Sequence, residues 1–235
     1  MENKTIRWCG YEWLTQERWG QVHPEKPNWW YDESAITILE NDNMVLRTQY
    51  NPKEFDGFTS NIGVGLVSCT EKFGYGKYSI EAKLPKGPYL WPAFWMWSFE
   101  SWPPEIDVFE GYSNKRSSYF NWNLRSLFGN FWAVNTNIHL GISPDNYMMG
   151  DKSHWLGWRN PSKVFNKYGL IWTENEIKIL FNDKVVRKIT DEKVLNQFKG
   201  KTLNVIINNS VQDDYLKSDK PEHEMLIKYF KYEKY

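Results

Sequence analysis

The chain has 235 residues, of which 41% are hydrophobic and 25% are charged, a balance typical of a globular protein with a substantial core. Its 29 basic and 29 acidic residues cancel, which removes the simplest electrostatic argument for binding nucleic acid or an anionic membrane. The sequence also lacks an apolar run long enough to cross a bilayer. We expect a single domain over residues 1–235 that is monomeric and has neither nucleic acid nor membrane as a partner.

The aromatic content is high, with 14 Trp in a chain that is 17% aromatic. Indole is hard to bury completely, so this number exceeds what a core of this size needs. Flat aromatic rings suit the C–H faces of sugars, which makes sugar binding one interpretation and core packing the other. The only two cysteines, Cys9 and Cys69, form either one disulfide or two buried thiols.

Short apolar and alternating runs recur along the chain between Gly, Pro, Asn and Asp residues, which is typical of an all-β protein. Strands are predicted over Ala35–Leu39, Met44–Thr48, Gly63–Cys69, Gly76–Leu84, Trp91–Phe99, Glu105–Tyr112, Asn135–Leu140, Asn166–Trp172, Glu176–Phe181, Val185–Ile189, Leu203–Asn208 and Met225–Tyr232. One short helix is predicted over Asp191–Phe198. About a dozen strands with almost no helix indicate two stacked antiparallel sheets.

The segment Gly111–Asn137 lacks clear periodicity, and we predict a long loop there. Loops of that length in compact domains usually serve a function. We select Arg116, Trp122, Arg125 and Trp132 from it as candidate substrate-binding residues. Arginine suits recognition of sulfate or carboxylate groups, although solvated loop charges are the alternative.

Three carboxylates lie within six residues of the strand predicted over Glu105–Tyr112. On a regular strand Glu105 and Asp107 share one face, and Glu110 falls on the other. An extra residue near Val108, forming a β-bulge, would bring all three carboxylates to one surface. The sequence therefore predicts a bulge in this strand.

The apolar residues support the bulge independently, because it turns Ile106 and Phe109 toward the core together. Three like charges on one sheet face destabilise a strand that has no function. Crowded carboxylates cannot all stay ionised, so the pKa of at least one of them rises. Glycoside hydrolysis uses such a pair, one carboxylate and one protonated acid. A solvated acidic strand and a metal site are the alternatives.

The sequence Glu-Ile-Asp-Val-Phe-Glu over residues 105–110 resembles the active-site signature of glycoside hydrolase family 16, in its bulged form Glu-x-Asp-x-x-Glu. Further segments resemble that family in order and spacing: Phe73–Pro85, Leu90–Trp97, Tyr168–Thr173, Leu203–Asn208 and Met225–Tyr232. Together these segments span most of residues 35–235, so that chance is a poor explanation of the likeness.

The resemblance implies an all-β fold, a β-jelly-roll sandwich of two antiparallel sheets with an open concave cleft. It further implies a retaining endo-glycosidase that hydrolyses a β-linked polysaccharide, with Glu105 as nucleophile and Glu110 as general acid/base. Asp107 would hydrogen-bond the nucleophile. Bulged members include laminarinases, agarases and carrageenases. Pro104 replaces the Gly common in laminarin-degrading members, which slightly favours a galactan over a β-1,3-glucan. Transglycosylation and a sugar-binding protein without hydrolysis remain as alternatives.

Several other residues are candidates for substrate binding. Trp91 and Trp95 share one face of their predicted strand, with core packing as the alternative. The resemblance points to Trp95 as a sugar platform, and to Trp102 and His139 as further cleft residues. A histidine that is merely hydrogen-bonded within a strand is the competing interpretation of His139.

No metal and no cofactor are expected. Many members of the family that the chain resembles hold a structural Ca²⁺ through an Asp in the last strand, where Lys228 stands here. An ammonium group cannot ligate calcium, which requires oxygen ligands. Because polysaccharides lie outside cells, we expect an extracellular or periplasmic protein, although residues 1–8 do not resemble a signal peptide.

Overall fold

The computed structural model describes residues 4–87, 89–112, 132–143, 146–149, 152–157, 160–212, 215 and 222–235. The strands are β1 (Thr5–Trp8), β2 (Tyr11–Leu14), β3 (Val22–His23), β4 (Lys26–Tyr31), β5 (Ile36–Ile38), β6 (Met44–Phe55), β7 (Phe58–Val64), β8 (Leu66–Phe73), β9 (Gly76–Lys83), β10 (Leu90–Ser98), β11 (Ser101–Tyr112), β12 (Trp132–Ser143), β13 (Asn146–Met149), β14 (Lys152–Gly157), β15 (Asn166–Trp172), β16 (Ile177–Phe181), β17 (Lys184–Ile189), β18 (Leu203–Val211) and β19 (His223–Lys234). Helix α1 spans Glu192–Phe198, with Asp191 as its N-cap.

Two sheets make a β-jelly-roll, as predicted. The first has the order β1-β2-β8-β18-β10-β11-β12-β13, with β14 also paired to β12. The second has the order β17-β16-β15-β9-β19-β6-β7-β4-β3, with β5 also paired to β6. All recorded strand pairs are antiparallel except that between β4 and β7. The strand-rich sequence is therefore organised as a two-layered all-β protein.

Strict alternation along the strands builds the core between the layers. On β9 the side chains of Tyr78, Ile80 and Ala82 are fully buried, while the residues between them are partly exposed. Phe94 on β10 is also fully buried and belongs to the same cluster. Because every second residue of β10 faces inward, the remaining residues of that strand point to the opposite face of the first sheet.

One predicted strand is wrong in its bounds. The range Gly63–Cys69 contains the end of β7 and the start of β8, which belong to different sheets. Gly65 separates them, and a Cβ atom there would lie 3.0 Å from the carbonyl oxygen of Ala35 and 3.1 Å from the backbone nitrogen of Arg47. The chain passes between the layers at a point too close-packed for a side chain.

The predicted loop over Gly111–Asn137 is wrong at its C-terminal end, because β12 begins at Trp132. Its pairing with β11 places Asn135 opposite Glu110. The strand predicted over Asn135–Leu140 therefore starts three residues too late, because Trp132, Ala133 and Val134 are consecutive apolar residues that show no alternation. The N-terminal strands β1–β4 were also not predicted, while the predicted helix is present as α1.

Cys9 and Cys69 are both free thiols in the structure. Within the described residues, none of the helices has the length and apolar character that crossing a membrane requires.

Candidate active site

The predicted bulge is present at Val108. Across the pair β10–β11, Phe94 stands opposite Phe109 and Trp95 stands opposite Asp107, so that Val108 is the extra residue. The register of β11 with β12 shifts over the same residues. The bulge therefore turns the side chains that follow Val108 to the face opposite the one that regular alternation would give them.

The bulge brings Glu105, Asp107 and Glu110 to one surface. All three line a cleft of about 490 Å³ on the first sheet. Their exposed fractions are only 9%, 2% and 8%, whereas Ile106 and Phe109 are fully buried in the core cluster on the other side. The three carboxyl groups are thus partly desolvated but still open to a ligand in the cleft.

Neighbouring strands supply the rest of the cleft floor. The side chains of Trp91, Ala93, Trp95 and Trp97 all line the cleft, so the predicted shared face of β10 is present. Other lining residues come from β11, β12 and β18: Trp102, His139, Asn208 and Ser210.

Glu105 is held from two sides. The indole Nε1–H of Trp102 donates to Glu105 Oε2 at 2.9 Å. His139 Nε2 lies 3.2 Å from Glu105 Oε1 and 3.2 Å from Asp107 Oδ2, so the imidazole bridges the two carboxyls. The register explains this contact, because β12 places His139 directly opposite Glu105.

Burial raises the pKa of Glu105 well above its ordinary value, and the neighbouring carboxyl of Asp107 raises it further. His139 opposes this shift, and the Trp102 hydrogen bond also lowers the pKa. The pKa of Glu105 is therefore set by burial together with the charges of Asp107 and His139.

Glu110 has a separate indole partner. The Nε1–H of Trp91 donates to Glu110 Oε1 at 3.0 Å. An indole can only donate, so Oε1 accepts this hydrogen bond whether the carboxyl is ionised or protonated. Trp95 donates instead to Asn208 Oδ1 at 2.8 Å. Trp91, Trp95 and Trp102, the three tryptophans predicted to bind substrate, thus also orient polar groups of the cleft.

One set of groups resembles a metal site in its donor chemistry. Glu105, Asp107 and His139 each offer a ligand atom, and these atoms lie within 4.8 Å of one another. The same atoms make the contacts that link His139 to the two carboxyls. At the position where the sequence predicted the loss of a calcium site, Lys228 forms an ion pair with Glu81.

Four predicted site residues lack a described side chain. Arg116, Trp122 and Arg125 lie outside the described residues, and of Trp132 only the backbone position at the start of β12 is described. Sequence reasoning also missed the part of the cleft wall that Trp19 and other N-terminal residues form. The available signal was that five of the 14 Trp fall within the first 30 residues.

The model of the family "Glycosyl hydrolases family 16" matches residues 23–229. The chain belongs to glycosyl hydrolase family 16. One similar protein is the endo-1,3-1,4-beta-glycanase ExsH of Rhizobium meliloti, which is 25% identical over 68% of this chain and 37% of ExsH. A beta-1,3-glucan-binding protein of Penaeus monodon is 32% identical over 40% of this chain and 29% of its own length. The chain thus spans well under half the length of these relatives.

A similar fold also appears in solved structures. One comes from a study described as "Prominent members of the human gut microbiota express endo-acting O-glycanases to initiate mucin breakdown". It aligns with a TM-score of 0.72 over 99% of this chain and 87% of that chain, at 19% identity. At 19% identity this similarity shows a shared fold and nothing more.

Proposed function

We propose that this family 16 chain is an endo-acting, retaining β-glycosidase that hydrolyses internal bonds of a polysaccharide. The observation that carries the proposal is the Val108 bulge, which aligns Glu105, Asp107 and Glu110 along the cleft. The two glutamates lie on one strand, and each accepts a hydrogen bond from its own indole. Two carboxyls in different environments are what an acid and a nucleophile require.

In the first step, the Glu105 carboxylate attacks the anomeric carbon of the bound sugar. The glycosidic C–O bond breaks while Glu110 transfers its proton to the departing oxygen, leaving a glycosyl ester on Glu105. The Trp102 indole favours the ionised form of Glu105, which opposes the effect of burial. His139 contacts the other side of the nucleophile and links it to the carboxyl of Asp107.

In the second step, the Glu110 carboxylate accepts a proton from water, and the water oxygen attacks the anomeric carbon. The ester bond to Glu105 breaks, which regenerates both carboxyls in their starting states. Two inversions at the same carbon retain the β configuration. Trp91 donates to Glu110 Oε1 and holds this carboxyl in place in both steps.

Azide rescue tests the assignment of the two glutamates. Small anions restore turnover when a carboxyl has been removed, and the product reports which carboxyl was lost. We expect Glu105→Ala to give an α-glycosyl azide and Glu110→Ala to give a β-glycosyl azide, as read by proton NMR. The wild type should release a product that is initially β. An initially α product from the wild type would contradict the retaining mechanism.

The substrate is a β-linked polysaccharide, and two classes have support. The name of ExsH, an endo-1,3-1,4-beta-glycanase, favours a β-1,3- or mixed-linkage glucan. Pro104, which precedes Glu105 in place of Gly, and the likeness to a structure from work on mucin breakdown favour galactose-containing chains. Product analysis on laminarin, mixed-linkage glucan, agarose, porphyran, carrageenan and mucin glycans distinguishes the classes. Such substrates lie outside cells, which supports an extracellular or periplasmic location.

The likeness to a beta-1,3-glucan-binding protein favours a second candidate, a sugar-binding protein without hydrolysis. The presence of all three carboxylates in the cleft argues for the hydrolase. A reducing-sugar assay on the same panel decides between them, with Glu105→Gln as the control. Binding without release of reducing ends by the wild type would support the binding protein.

A further inference from the structure

The cleft extends from the carboxylates to a wall formed by the N-terminal segment. Trp19 and His23 line this wall, with Trp29 and Tyr31 packed against them. Trp29 and Tyr31 are 4% and 2% exposed, whereas Trp19 and His23 are only half-buried. The wall therefore presents accessible aromatic surface to a chain that lies in the cleft.

A row of aromatic rings connects this wall to the carboxylates. Trp97 stands opposite Glu105 in the strand register and stacks on Trp95, with ring centroids 6.2 Å apart and planes inclined by 22°. The ring of Trp19 lies 5.4 Å from that of Trp97. Ligand sites are commonly lined in this way by aromatic surface with a few polar groups. The row marks a path for a sugar chain that leaves the reacting centre.

Local contacts fix the position of Trp19 before any ligand arrives. The backbone N–H of Gly20 donates to the carbonyl of Glu17 at 3.0 Å, and Gly20 adopts a φ of 105°, which favours glycine. The guanidinium of Arg18 lies 5.2 Å from the ring centroid of Trp97. Since the turn is already ordered, binding loses little conformational entropy.

We propose that Trp19 and His23 form a sugar-binding subsite for a pyranose unit removed from the bond that is cleaved. Trp19 precedes residue 23, where the family match begins, so this half of the subsite is additional to the matched region. His23 Nδ1 accepts the N–H of Glu25 at 3.1 Å, so the neutral ring carries its proton on Nε2 as a donor for a sugar hydroxyl. The inference rests on the proposed hydrolase function.

The experiment compares oligosaccharides of increasing length, prepared from whichever panel polysaccharide the wild type hydrolyses. For Trp19→Ala we expect kcat/KM to fall about 10-fold on long oligosaccharides and to stay within about twofold of wild type on the shortest cleaved one. Trp19→Phe should retain most of the activity. Tyr50→Ala removes a side chain that is 62% exposed and absent from the cleft lining, and it serves as the matched control.

Equal losses at all lengths, or no loss at any length, would overturn the subsite. Thermal melting of each variant identifies a loss that comes from misfolding, and in that case His23→Ala, which changes the other residue of the subsite, replaces Trp19→Ala in the length comparison. Affinity electrophoresis through gels that contain each polysaccharide separates the two proposals. If a polysaccharide retards the protein in a Trp19-dependent way but is not hydrolysed, the subsite stands and the proposed hydrolase function is wrong. If hydrolysis proceeds equally with and without Trp19, the hydrolase function stands and the subsite is wrong.

Discussion

Two buried glutamates of this protein, Glu105 in the cleft and Glu17 in the N-terminal segment, differ in their surroundings. Glu105 is 9% exposed and is contacted by Trp102 and His139. Glu17 is 1% exposed, and no side chain in the described part of the chain hydrogen-bonds its carboxyl. Burial raises the pKa of Glu17 to about 8, and Arg18 only partly opposes this.

The difference separates a carboxyl arranged for chemistry from one that is buried as a neutral group. Trp102 and His139 lower the pKa of Glu105 and so oppose the effects of burial and of the neighbouring Asp107. Glu17 has no such partners and keeps its proton at neutral pH. A raised pKa alone therefore does not identify a catalytic residue, because the partners decide whether the charged form can be used.

The largest expected effect is on activity. Glu105→Gln should lower kcat by about 10⁴-fold on the preferred polysaccharide, because the amide is not a nucleophile. Glu17→Gln should leave kcat within about twofold of wild type. Initial-rate assays check both variants, and circular dichroism verifies that each is folded. Comparable losses of kcat from the two substitutions would contradict the assignment of Glu105, and not Glu17, as a catalytic residue.

The second expected effect is on stability. Because the pKa of Glu17 is raised from 4.5 to about 8 on folding, the folded state keeps a proton that the unfolded chain releases. The Glu17 contribution to stability is therefore fully present below pH 4.5. It falls by roughly 1.4 kcal/mol per pH unit as the pH rises toward 8.

Glu17→Gln should remove this contribution to the pH dependence of unfolding. The variant should then gain stability relative to wild type between pH 5 and pH 8, as measured by urea denaturation at several pH values. Glu40→Gln, at an exposed glutamate, is the control and should behave as wild type. A constant difference between Glu17→Gln and wild type across this range would show that Glu17 is ionised in the fold.

A third, smaller effect tests the partners of Glu105. Trp102→Phe removes the N–H donor and keeps an aromatic ring, so kcat/KM should fall by about 10- to 100-fold. The acidic limb of its pH profile should move to higher pH, because the lost donor favours the ionised form. Trp95→Phe is the matched control, since that indole donates to the neutral Asn208. An unshifted acidic limb in Trp102→Phe would remove the proposed role of the indole.

The smallest expected effect is that of chelation. The proposed mechanism needs no metal, and Lys228 holds an ion pair with Glu81 at the predicted position of the lost calcium site. Treatment with EDTA should therefore change neither kcat nor the melting temperature. A loss of activity that Ca²⁺ or another divalent cation restores would reassign Glu105, Asp107 and His139 as metal ligands.

The sequence by itself determined the all-β class, the bulge at Val108 and the shared face of the three carboxylates. These features follow from a period of two residues along single strands, which can be read locally. The fold type and the roles given to Glu105 and Glu110 entered through the resemblance of the motif to a family. The roles remain to be tested by azide rescue.

Only the tertiary structure decided the rest. The break at Gly65 depends on the backbone around Ala35 and Arg47, and the wall at Trp19 depends on its packing against Trp97. The indole of Trp95 finds its partner 113 residues further along the chain. Such contacts join segments that are distant in sequence. The residue pattern within one strand does not show which other strand will lie beside it in the folded sheet.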